Sequence, residues 1–157
     1  MCGVTSANYG VKVKNKIYAN IRPYKQGRIP DQPCFSYEPI YYTTLVLHEF
    51  AHSFINDWVE KSCQNILVDI KKYKKILSGF AYGENIDVYI SETIIRAIEC
   101  LYVLNEFSDR YESYITEYEN EGFILIRKVV EKIKSFNDLE KNNVKFSELI
   151  DDVCKLF

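Results

Sequence analysis

The stretch LVLHEFAHSFIN, Leu45 to Asn56, contains both histidines of a 157-residue chain, His48 and His52, with Glu49 between them. Residues four apart on an α-helix lie about 40° apart around the axis and one turn along it, so two imidazoles so placed can approach one ion. The pattern HExxH therefore ties this segment to a helix. Glu49, three residues before His52, points beside the pair, close enough to hold a water on the metal. Zinc lowers the pKa of such a water toward roughly 7, and the carboxylate takes its proton as it attacks a carbonyl. Val46, Leu47, Phe50 and Ala51 around the motif are apolar, as a buried metal helix requires.

A catalytic zinc usually has three protein ligands and one open position for water. With both histidines used, the third ligand must be Glu, Asp or Cys. The longer pattern HExxHxxGxxH is excluded, because Ile55 and Trp58 stand at its glycine and last histidine. Glu92, in YISETIIRA at the start of a later helix, is the best candidate; Glu99 and Asp87 are the alternatives. Arg96, one turn beyond Glu92, is placed to orient its carboxylate or steady an oxyanion. Asn56 is either a second partner for the metal ligands or a surface amide. An oxyanion donor has to be Tyr or Arg, and Tyr89, Tyr102, Tyr111 and Tyr114 lie near the right helices. Cys34 is either a thiolate cap on the zinc or a packing residue.

Composition narrows the rest. Apolar residues make up 47% and charged residues 27%, which suits one globular domain over 1–157. Net charge is −2 and the isoelectric point about 5.8, so no overall field draws in nucleic acid or anionic lipid. The cluster Lys71-Lys72-Tyr73-Lys74-Lys75 reads as the wet face of a helix. Five cysteines, an odd number with no CxxC pair, argue against a disulfide framework and a cysteine-only zinc knuckle. MCGVTSANYGVKVK lacks the apolar core of a signal peptide and no run reaches membrane-spanning length, so the expected location is cytoplasmic, or exported if a signal precedes this chain.

Along the chain, Val11, Val13, Ile17, Ala19 and Ile21 alternate with polar residues, predicting a long strand or a hairpin turning near Asn15-Lys16 with these five on its buried face. Pro23, Gly27, Pro30, Pro33 and Pro39 mark a loop. Thr43 or Thr44 can cap a helix to about Ser62 whose inward stripe is Leu47, Phe50, Ala51, Phe54 and Trp58. Further helices fit Gln64–Leu77, Val88–Phe107 with Ile94, Ile98 and Leu101 inward, Tyr111–Phe136 with a break at Gly122, and a terminal helix from Ser147. The expected fold class is α+β: a β and loop part over about 1–42 beside a helical body over 43–157.

LVLHEFAHSFIN with the later ISETIIRA resembles a group of uncharacterised bacterial zincins, a domain of unknown function with HEF(S/G/A)HSFxN motifs. It is similar more broadly to the gluzincins, in which HExxH and a glutamate on a following helix bind zinc. The resemblance runs loosely over Tyr9 to Phe136 and is specific at the HExxH region. It implies a zincin-like fold, His48, His52 and Glu92 as zinc ligands, and Glu49 as catalytic base. The N-terminal part before His48 is shorter than in many such proteins, which points to reduced substrate-binding strands. The expected function is a zinc metallopeptidase acting on peptide or protein substrates, with the alternating N-terminal segment either an edge strand for the peptide or a cover for the helices. The alternative is a degenerate zincin that binds a partner without hydrolysis.

Overall fold

The computed structural model describes residues 8–21, 38–65, Tyr73, Leu77, 85–139 and 145–157. Within them lie a two-stranded antiparallel hairpin, β1 (Tyr9–Val13) and β2 (Lys16–Asn20), and five helices. The helices are α1 (Pro39–Asn65), α2 (Ile86–Glu106), α3 (Tyr111–Asn120), α4 (Ile126–Leu139) and α5 (Phe146–Cys154). A short 3-10 turn, Ser108–Arg110, leads into α3. The architecture is α+β, mainly helical. Contacts gather into two compact units, residues 1–53 and 54–157. The loop expected through Pro23, Pro30, Pro33 and Cys34, the body of the helix expected over 64–77, and the Lys71–Lys75 cluster lie outside the described residues, except that Tyr73 and Leu77 are helical and buried.

In the first unit, Val13 pairs with Lys16 and Val11 with Tyr18, around a two-residue loop, Lys14-Asn15. Lys14 takes a positive φ of 54°, the backbone that tight hairpin loops demand. This register corrects the expected buried face. Directly paired residues share a face, so odd positions of β1 sit with even positions of β2. Val11 and Val13 therefore share the open face with Tyr18 and are exposed, while Ile17 and Ala19 are half-buried on the other face with Gly10. Gly10 explains what that face meets. A methyl group built on it would fall 1.5 Å from the backbone oxygen of Glu49, so β1 and the HExxH helix touch main chain to main chain.

Helix α1 begins earlier than the sequence suggested. Pro39 occupies the first helical position, where its missing N–H costs nothing, and the Glu38 carbonyl accepts from Tyr42 N–H at 3.0 Å. Thr44 is no cap; its hydroxyl donates back to the carbonyls of Ile40 and Tyr41. The inward stripe also differs. Thr44, Ala51, Ile55, Val59 and Ser62 are buried, whereas Phe50, Phe54 and Trp58 are 37%, 48% and 40% exposed. The buried line continues through the half-buried His48 and His52, so polar residues occupy part of the inner face and mislead a reading by hydrophobicity.

The second unit packs α2 against α3 and α4, and α4 against α5. Asn85 caps α2, its side-chain oxygen accepting from Asp87 and Val88 N–H. Every residue of α2 from Tyr89 to Ile95 is buried, so this stretch is enclosed on all sides rather than on one stripe. Ile94 is buried as expected, whereas Ile98 and Leu101 are only half-buried. The break at Gly122 is real. Gly122, at φ 104°, ends α3 with its N–H on the Glu119 carbonyl and that of Phe123 on the Tyr118 carbonyl, closing the helix end. Tyr89 stacks parallel to Phe123 at 5.8 Å and packs on Tyr73 and Phe157, with its hydroxyl donating to the Gly122 carbonyl at 2.8 Å.

Gly10→Ala cannot be seated without moving one backbone or the other. Its expected cost is about 1–3 kcal/mol, as for overpacking generally. A lower midpoint in urea, with faster amide exchange over residues 9–20, is the expected outcome, and wild-type exchange there would contradict it.

Candidate metal centre

His48 and His52 project from successive turns of α1 and are half-buried. Their Nε2 atoms face each other at 3.1 Å, with ring centroids 4.7 Å apart and planes at 80°. Two nitrogens bound at about 2.0–2.1 Å to one tetrahedral ion stand roughly 3.3 Å apart, so the pair is already close to chelating separation. Glu49, between them in sequence, is buried.

Glu92 lies within the enclosed stretch of α2 and is 3% exposed. One ligand atom from each of His48, His52 and Glu92 lies within 4.8 Å of the others, a group that can hold a metal ion. The donor set of two imidazoles and a carboxylate suits zinc and other divalent first-row metals.

Glu92 is not buried among apolar groups alone. Arg96, one turn along α2, sets Nη2 3.5 Å from its Oε2. The Arg96 guanidinium is held between two aromatic rings, 4.7 Å from the Tyr118 centroid and 4.8 Å from that of Phe123. Burial alone would push its pKa down; Tyr118, Glu99 and Glu92 around it carry the value above the usual one. It is a fixed positive charge. Glu99, the first alternative ligand, is 2% exposed and serves this arrangement. The hydroxyls of Tyr114 and Tyr118 both donate to its Oε2, the former at 3.0 Å. Burial, with the Glu99 carboxylate beside it, drives the Tyr118 hydroxyl far above its ordinary pKa, so it stays a donor. Asp87, the second alternative, lies in the first turn of α2.

The remaining candidates fall as follows. Tyr89 is fully buried and its hydroxyl is committed to Gly122, while burial pushes its pKa up to about 12. Tyr114 is committed to Glu99. Tyr102 packs edge-on against Phe107, and Tyr111 is half-buried. Asn56 is exposed, and Cys34 lies outside the described residues. Sequence reasoning named Arg96 but missed the rings that hold it. Tyr118 and Phe123 lie beyond a helix end, and no spacing rule links them to α2. Among the described residues no helix is long and apolar enough to cross a membrane.

A family model for a domain of unknown function, DUF4932, matches residues 4–154. The chain belongs to this DUF4932 family. Its match takes in the hairpin, the HExxH helix and the whole Glu92–Arg96–Glu99 segment of this DUF4932 domain. Neither a curated protein nor a solved structure matches the chain.

Tyr118→Phe removes one donor from a buried carboxyl group and leaves the ring over Arg96 in place. Its expected cost is about 1–3 kcal/mol, read as a lower chemical-denaturation midpoint with unchanged slope. A variant as stable as the parent would show that Glu99 does not depend on the Tyr118 hydroxyl.

Proposed function

We propose that this domain is a zincin-like, zinc-dependent hydrolase, most directly a metallopeptidase. The observation that carries the reading is the gathering of His48, His52 and Glu92, with Glu49 set between the two histidines. The likeness of LVLHEFAHSFIN and ISETIIRA to gluzincin motifs supports the same assignment. When bound, zinc supplies a Lewis acid that acidifies water and polarises a carbonyl.

The protein's own share is then specific. His48 and His52 would hold the ion through one ring nitrogen each, and Glu92 through a carboxylate oxygen. Arg96 holds Glu92 in one orientation from its seat between Tyr118 and Phe123, a role of the kind that outer partners of metal ligands play. The Glu49 carboxylate accepts a proton from the attacking water and returns it to the leaving amine. The chain's peptide or protein substrate is expected to approach from the hairpin side, because Gly10 packs on the backbone of Glu49 itself.

Two measurements test this reading. Purified protein supplied with zinc is expected to hold one ion per chain, with His48→Ala and Glu92→Ala each lowering affinity by about 100-fold or more. Such losses are at or above the upper end of those caused by outer partners alone. Glu49→Gln is expected to keep the ion and lose cleavage of a peptide library by about 100- to 10,000-fold. Absence of stoichiometric zinc ends the metal reading; zinc without cleavage in the parent protein turns it into a binding module.

A further inference from the structure

The hairpin is anchored at one end and free at the other. Gly10 rests on the main chain of Glu49, and Ile17 and Ala19 on the same face are half-buried. Beyond Gly10 every residue from Val11 to Lys16 is exposed, and the ribbon runs about 13 Å from Gly10 to its loop at the usual rise per residue. The open face is apolar. Tyr9, Val11, Val13 and Tyr18 are exposed on it together, and the most exposed of the four, at 51%, is Val13 beside the loop. Soluble domains seldom leave such a cluster in water without a use for it.

Charge is segregated on the same segment. Residues 1–30 hold six Lys or Arg and no Asp or Glu, so all 22 acidic residues lie beyond it. The net charge of −2 describes the whole chain and conceals this contrast. Three of the six, Lys12, Lys14 and Lys16, surround the loop, are exposed, and make no ion pair among the described residues. Lys16 pairs with Val13 and so shares its face. Lysines on an edge strand also discourage strands from pairing. That role accounts for the charges but not for the valines and tyrosines set between them.

We propose that the tip of this hairpin docks on an anionic lipid bilayer. Val11 and Val13 enter the boundary between headgroups and acyl chains, Tyr9 and Tyr18 stay at headgroup level, and the three lysines reach lipid phosphates. The match is one of charge and of depth. An apolar face with a basic rim complements a surface that is negative outside and apolar beneath. A free length of about 13 Å covers the roughly 5–10 Å to which interfacial segments sink. Single-stranded nucleic acid would call for rings on which bases stack, whereas the apolar residue nearest the loop is a valine. A purely acidic peptide would satisfy the lysines and leave the apolar side chains in water. The contact is peripheral, as no helix among the described residues is long and apolar enough to cross a membrane. It does not depend on the metal reading.

The test is a co-sedimentation titration of the full chain with large unilamellar vesicles, either pure phosphatidylcholine or phosphatidylcholine mixed with an equal part of phosphatidylglycerol. Binding to the mixed vesicles is expected to be at least roughly 10-fold tighter than to the neutral ones and to weaken as NaCl is raised. Lys12→Glu/Lys14→Glu/Lys16→Glu should weaken it by about 100-fold or more, and Val11→Ser/Val13→Ser by roughly threefold or more, with the Tm in solution unchanged within a degree or two. Equal binding to both vesicle types, or either variant binding like the parent, would overturn the proposal. So would tighter binding to a single-stranded oligonucleotide or to polyglutamate than to the mixed vesicles. Should the triple variant fold poorly, Lys16→Glu alone, with an expected loss of about fivefold or more, and the serine pair still decide the question.

Discussion

A single guanidinium organises the helical unit. Arg96 sits beside two acidic side chains of its own helix, Glu92 and Glu99, in a stretch of α2 with almost no access to water. Placing charges there is expensive unless each finds a partner. The surroundings meet that demand from outside α2. Tyr118 and Phe123 sandwich the guanidinium, Tyr114 and Tyr118 tie down Glu99, and the sharp turn at Gly122 carries the chain from one ring to the other. Removing α3 or its closing glycine would leave the arginine with an uncovered face.

Much of this was legible from residue order alone, and the failures follow a pattern. The hairpin, the helix starting near Ile86, the break at Gly122 and the C-terminal helix each carry a local signal: alternation, a helical period, or a glycine. The inward face of α1 was misjudged because His48, Glu49 and His52 take positions that apolar residues fill in an ordinary helix. Phe50, Phe54 and Trp58 are turned outward as a result. The strand faces were misjudged because a two-residue loop reverses parity between partners, which alternation along the chain does not record. The aromatic clasp on Arg96 joins residues far apart in sequence, and no single-chain pattern announces such contacts.

The two histidines and Glu92 illustrate how a local rule and a non-local one combine. Helical geometry sets the two imidazoles one turn apart, and their Nε2 atoms stand 3.1 Å from each other. Nothing local brings a carboxylate to them; that depends on α2 being rigid enough to carry Glu92 at a defined position. Enclosure on every side and the Arg96 contact hold Glu92 by packing rather than on a surface loop.

The seat of Gly10 on α1 has a mechanical meaning. Because the hairpin rests on the carbonyl of the very residue proposed as base, Glu49, any load on strands β1 or β2 is delivered to that residue's main chain with no side chain in between to absorb it. A bound chain that pulled, pushed or twisted the ribbon would thereby shift the main chain from which the Glu49 side chain springs, making the little sheet a lever.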